Sequence, residues 1–173
     1  MKIAISGKMC SGKSTISKII QEYDNRYEIF SFGKKIKILA NELFGMDINQ
    51  KNRSLLIEIA SKMREIDENV WVNYIINQTK NKEYCIIDDL RFQNELELLE
   101  QNGWKIIQLN IDEDLQLERI KNLYKIDYKD HIKNKNHLSE KNKLKFKVEP
   151  LIIDSSNNLE IIKEIIIKNI FNQ

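Results

Sequence analysis

Apolar positions along the chain switch repeatedly between two periods. Ile3, Ala4 and Ile5 make a short continuous run, and Thr15 to Tyr23 then places Ile16, Ile19 and Ile20 at helical spacing. A second short strand is predicted over Tyr27 to Ser31. A helical block follows: Lys34 to Phe44 carries Ile36, Leu39, Ala40 and Leu43, and Ser54 to Ile66 carries Leu55, Leu56, Ile59, Ala60, Met63 and Ile66. Val70 to Gln78 extends it. Tyr84 to Ile87 reads as a strand buried on both faces, ending in Asp88-Asp89. Helix Asn94 to Gln101 (stopped at Gly103), strand Trp104 to Ile111, helix Leu115 to Leu123, strand Leu151 to Ile153 and a terminal helix from Leu159 to about Phe171 complete the pattern. Alternation of this kind predicts an α/β fold with three α/β/α layers and a five-stranded, mostly parallel sheet.

With 173 residues and 42% hydrophobic content the chain suits a single domain over 1–173. Its 28 basic and 26 acidic side chains nearly cancel, so net charge gives no case for nucleic-acid or membrane binding. The two cysteines, Cys10 and Cys85, make no disulfide framework and suit a reducing compartment. No signal peptide is expected ahead of the first strand, and no apolar run approaches a membrane span. A cytoplasmic protein is the expectation.

The chemistry enters directly after the first strand. Gly7-Lys8-Met9-Cys10-Ser11-Gly12-Lys13-Ser14 fits GxxxxGK[ST] at every fixed position, and a helix beginning near Thr15 follows. The glycines permit a turn tight enough to point backbone N–H groups at a polyphosphate. Lys13 can reach the β- and γ-phosphates, and the Ser14 hydroxyl can ligate Mg²⁺. Gly7, Lys8, Cys10, Ser11, Gly12, Lys13, Ser14 and Thr15 are therefore the expected ATP site.

Ligands of open α/β sheets collect at the carboxyl ends of the strands, so the phosphate loop, Asp88-Asp89 and Asp154 are expected to line one crevice. Between Tyr124 and Val148 the periodicity fails while lysines accumulate, from Lys125 to Lys147. Two readings stand: a solvated cationic face, or a lid over 112–147 that closes on phosphates. GTPase signatures (NKxD, DxxG) are missing, and the helical region 32–80 suits an acceptor site.

Asp89-Leu90-Arg91-Phe92-Gln93-Asn94-Glu95 resembles the DxRFxNE signature of the deoxynucleoside monophosphate kinases of phages and other viruses. His137-Leu138-Ser139-Glu140 is similar to their HxSE element, and Ser31-Phe32-Gly33 with Lys37 to their SFA segment and its lysine. Arg53, Arg64 and Trp71 fall where that family has two arginines and a tryptophan. The chain departs from the family at Ile57 and Ala60, aligned with Gln and Gly, and at Ser155, aligned with Asn.

The resemblance implies a nucleoside monophosphate kinase fold and transfer of the ATP γ-phosphate to a (deoxy)nucleoside monophosphate. ATP and Mg²⁺ are the implied cofactors, homodimer formation is left open, and a viral member would act in the host cytoplasm. Lys13, Arg91, Arg119 and Asp89 are the implied catalytic residues, with Ser14 and Asp89 on the metal. Phe32, Lys37, Arg53, Arg64, Trp71, Asp89, Arg91 and Glu95 are the implied substrate residues. Simpler roles stand beside several of these: Asp89 as a helix cap, Arg91 paired with Glu95, Trp71 in the core. The alternatives in function are a metabolite kinase of the dephospho-coenzyme A or phosphomevalonate type, and a nucleotide-binding module without turnover.

Overall fold

The computed structural model describes residues 1–47, 52–125, 132 and 143–172. Its centre is a five-stranded sheet in the order β2-β3-β1-β4-β5, formed by Lys2–Gly7 (β1), Glu28–Phe30 (β2), Cys85–Leu90 (β3), Lys105–Asn110 (β4) and Leu151–Asp154 (β5). All four pairings are parallel, and β1 runs between β3 and β4 with Ile3 opposite both Ile86 and Lys105. Parallel strands need crossovers, which the helices supply. They are α1 (Lys13–Tyr23), α2 (Phe32–Phe44), α3 (Arg53–Ile66), α4 (Val70–Thr79), α5 (Gln93–Gln101), α6 (Glu113–Tyr124) and α7 (Leu159–Ile166).

Strand alternation divides the core in two. Ile3, Ile5, Ile86 and Ile107 pack with Ile16, Ile19 and Ile20 of α1 and Ile162 and Ile166 of α7. Ala4, Cys85 and Ile87 face the other way, onto Ile36 and Ala40 of α2, Ile59 of α3, Trp71 and Ile75 of α4, and Leu96 and Leu99 of α5. Each fully buried isoleucine stabilises the fold by roughly 1.5–3 kcal/mol. This is the expected three-layer α/β/α arrangement.

Differences from the sequence reading lie at element ends. Asp88 and Asp89 belong to β3 itself, because the β1 pairing continues past them to Ser6↔Leu90. The terminal helix is α-helical only to Ile166, and Ile167–Phe171 forms a π-helical turn that brings Phe171 to within 4.4 Å of the Tyr23 ring.

The expected lid over 112–147 needs correction at its end. Leu144 and Phe146 alternate onto the core, Gln93 bonds both the N–H and the C=O of Lys145, and Glu100 accepts from Lys147 N–H. This stretch is docked on α5, and Lys143, Lys145 and Lys147 lie outside the crevice. Residues 126–131 and 133–142, including His137, Ser139 and Glu140, lie outside the described residues. No helix among the described residues is long and apolar enough to cross a membrane.

Candidate active site

The loop between β1 and α1 has the backbone that its glycines allow. Gly7 sits at φ +150, where a Cβ would lie 2.7 Å from Ser11 Oγ and 2.9 Å from Leu109, so no side chain fits. Gly12, at φ +94, is the N-cap of α1. Cys10 also adopts a positive φ, 61, which is uncommon for a residue with a side chain. The buried Lys13 ammonium folds back onto Gly7 O at 2.7 Å and Lys8 O at 2.8 Å, holding its charge at the loop.

A crevice of about 1010 Å³ opens beside this loop, at the carboxyl ends of the strands. Of the expected ATP residues, Cys10 to Thr15 line it, whereas Gly7 and Lys8 stand behind its wall. Of the expected substrate residues, Phe32, Lys37, Arg53, Arg64, Asp89, Arg91 and Glu95 line it together with Arg119. Trp71 does not. It is 3% exposed in the core, where its indole N–H donates to Ala60 O at 3.2 Å and ties α4 to α3. Its expected place among the substrate residues is corrected accordingly.

Neighbouring carboxylates at the end of β3 have different tasks because successive strand residues face opposite sides. Asp89 shares the face of Ile87 and meets α2. One of its oxygens accepts from Phe32 N–H at 2.9 Å, the other from Gly33 N–H at 2.8 Å and Ser31 Oγ at 2.7 Å. Both oxygens thus cap the start of α2, which is the task the structure shows for Asp89. Asp88 shares the face of Ile86 and meets α1, where Ser14 Oγ donates to it at 3.2 Å.

Burial, and then the neighbouring charge of Asp89, push the Asp88 carboxyl up. A partly buried carboxylate beside a second carboxylate and a hydroxyl is a donor set that suits a hard divalent cation. Ser14 and Asp88 are therefore the residues that fit Mg²⁺. The different role of Asp89 can be measured: Asp89→Ala is expected to cost about 2 kcal/mol through the lost helix cap, seen as a midpoint shift in urea unfolding.

The far side of the crevice is built around Glu95, which is 2% exposed. One oxygen accepts from Arg64 at 3.2 Å, and the other from the backbone N–H of Arg91 and of Phe92, both at 3.1 Å. Burial pushes this carboxyl up while Arg64 and the two N–H groups pull it down. The Arg64 guanidinium stacks at 4.1 Å on the Phe92 ring, and its Nε has no hydrogen-bond partner among the described residues. Arg53 reaches across to Met9 Sδ. Leu56, Ile57, Ala60 and Phe92 make the wall around these cations apolar.

Arg119, expected at the transferring phosphate, donates to Cys10 O at 3.3 Å and to Ser155 O at 2.7 Å, alongside the loop. Leu56, Ile57 and Ala60 line the crevice without any sequence motif to mark them, and Phe92 lines it from within the Asp89 to Glu95 run. The expected metal pair was Ser14 and Asp89, whereas Ser14 bonds to Asp88. Strand alternation, with Asp88 in step with Ile86, was the signal that separates the two aspartates.

A family model described as an AAA domain matches residues 3–143. Solved structures match almost the whole chain. A gluconokinase from Sinorhizobium meliloti 1021 is similar at a TM-score of 0.57 and 15% identity, over 95% of this chain and 87% of that one. Shikimate kinase from Aquifex aeolicus vf5 is similar at 0.51 and 17%, over 99% and 97%. TT1252 from Thermus thermophilus reaches 0.61 at 12% identity, over 99% and 96%. At these identities the likeness is one of fold alone. No curated protein matches.

Proposed function

From a chain that belongs to the AAA-domain family and carries the fold of small P-loop kinases, we propose an ATP-dependent kinase. It moves the γ-phosphoryl group to a nucleoside monophosphate, of the viral deoxynucleotide type. The carrying observation is the chemistry of the acceptor side. Lys37, Arg53, Arg64 and Arg91 gather there within an apolar wall, and both oxygens of each carboxylate among them, Asp89 and Glu95, are already bonded. An alcohol acceptor needs a base to take its proton. A monophosphate does not, since its oxygen is already anionic, and it does need cations to offset charge.

In the reaction, an acceptor phosphate oxygen bonds to the γ-phosphorus as the bond to the β,γ-bridging oxygen breaks. ADP leaves and a new phosphoanhydride remains. Lys13 and the loop N–H groups hold the donor, and Arg64 and Arg91 hold the acceptor phosphate in line through guanidinium contacts. Ser14 and Asp88 would hold Mg²⁺, which would supply charge neutralisation on the donor phosphates. Glu95 fixes Arg64 and the turn that carries Arg91. The apolar wall with Phe92 suits a flat base, which supports a nucleotide over a phosphorylated polyol. The DxRFxNE resemblance over Asp89 to Glu95 supports the deoxynucleotide type.

A screen of acceptors with ATP and Mg²⁺, read as ADP release, tests the proposal. Release with particular deoxynucleoside monophosphates alone is the expected result. Release only with a non-nucleotide acceptor, or tight ATP binding without release, would sink it. Arg91→Lys keeps the charge and loses the planar fork. It is expected to lower kcat/KM for the monophosphate about tenfold or more while ATP affinity stays within twofold. Isothermal titration with an ATP analogue beside steady-state kinetics checks both halves.

A further inference from the structure

A loop that turns its N–H groups toward an anion must turn carbonyl oxygens away from it, into the protein, where each needs a donor. In this chain the donors can be followed residue by residue. Gly7 O and Lys8 O accept from Lys13 Nζ. Gly12 O accepts from the first N–H groups of α1, those of Thr15 and Ile16. The three carbonyls between are held from outside the loop. Met9 O accepts from Gln116 Nε2 at 2.9 Å, Cys10 O from Arg119 at 3.3 Å, and Ser11 O from Ser155 Oγ at 2.7 Å. Gln116 and Arg119 lie on α6, and Ser155 follows β5, where its N–H is bonded to Asn110 O at 2.8 Å.

Gln116 stands out in this brace. It is completely buried and contacts a loop more than a hundred residues away in sequence. Since Met9 O can only accept, the atom facing it must be the amide nitrogen. The other end of the side chain, Oε1, has no hydrogen-bond partner among the described residues. A half-satisfied buried carboxamide is a costly way to fill space that Leu or Met would fill without penalty. What the carboxamide supplies, and an apolar residue would not, is the bond to Met9 O.

We infer that Gln116 is a positioning residue of the donor site: through Met9 O, with Ser155 acting on Ser11 O, it holds the phosphate loop in its anion-binding conformation before nucleotide arrives. The inference rests on the loop being the nucleotide phosphate site and not on the identity of the acceptor. Pre-paid ordering of the loop appears as nucleotide affinity, because an unbraced loop must be ordered at the moment of binding. Gln116 takes no part in the chemistry and touches no reacting atom.

ADP binding by the full-length chain, measured by isothermal titration beside thermal unfolding, tests this. Gln116→Met keeps the volume and removes the donor, and is expected to weaken ADP binding about tenfold. Ser155→Ala, with its own lost carbonyl donor, should weaken it several-fold by the same route. Ile120→Val trims a fully buried side chain on the same helix and should lower Tm while leaving ADP affinity within twofold. An ADP Kd for Gln116→Met within twofold of wild type would overturn the inference. So would an equal ADP loss in Ile120→Val, which would make the effect one of helix stability. Should Gln116→Met fail to fold, Ser155→Ala decides, and an unchanged Kd there overturns the brace. A wild-type chain that does not bind ADP at all would bring down the donor-site reading itself, and this inference with it.

Discussion

Lys13→Ala is expected to reduce turnover at least 10²-fold while the chain stays folded. The ammonium is held by Gly7 O and Lys8 O, and in the proposed reaction it offsets charge on the transferring phosphoryl group. Charge-stabilising contacts of this kind act mainly in the transition state, and removing one typically costs 10²- to 10³-fold. The loss should fall on kcat as well as on nucleotide affinity. Folding itself should persist, with a lower Tm, because the substitution takes the donor from two loop carbonyls, Gly7 O and Lys8 O, and removes no apolar side chain from either half of the core. Stopped assays on the purified variant, with circular dichroism to verify folding, check this. A variant that retains a tenth of wild-type activity would contradict the role given to Lys13.

Asp88→Asn is expected to separate stability from activity. In the folded chain the Asp88 carboxyl is pushed above its ordinary value of 3.8 by burial and by Asp89, so the folded state holds that proton more tightly than the unfolded state does. The resulting stabilisation is complete below the ordinary value and is lost as pH rises through the raised one. At a pH above the raised value both states are ionised, and the folded one bears the cost of a partly buried charge. Asparagine removes that charge and still accepts the Ser14 bond, so Tm at neutral pH should rise by a few degrees. Turnover with Mg²⁺ should fall about 10²-fold or more, since the carboxylate proposed to hold the cation with Ser14 is gone. The gain in Tm should vanish when both proteins are compared at a pH below the ordinary carboxylate range. A fall in Tm at neutral pH with activity retained would show that Asp88 is a structural residue.

The parts of the fold and site that could be read from sequence are those written locally. Ile3 to Ile5, followed directly by Gly7 to Ser14, locate a central buried strand and its phosphate loop, because the loop's backbone demands those residue types in that order. Helical spacing in Ser54 to Ile66 and the buried run before Asp88 give the layers. What escaped depended on which side a residue faces, or on partners far away in the chain. Asp88 and Asp89 are indistinguishable as letters, and only the pleat sends one to Ser14 and the other to the start of α2. Trp71 is placed by the packing of α4 on α3, not by its neighbours in sequence. Leu144 and Phe146 sit among lysines, which disguised a two-residue period that docks the segment on α5. Gln116 is an unremarkable residue in an amphipathic helix until Met9 O is seen opposite it.

In the proposed reaction the atom that receives the phosphoryl group is a phosphate oxygen. Phosphorus-31 NMR of a reaction of the chain with ATP, Mg²⁺ and a mixture of deoxynucleoside monophosphates reads that atom directly. The expected result is loss of the ATP β-phosphorus signal with growth of two sets of coupled diphosphate doublets, one from ADP and one from the new phosphoanhydride on the acceptor. Release of inorganic phosphate with the monophosphate signals unchanged, or a new uncoupled ester signal, would contradict it.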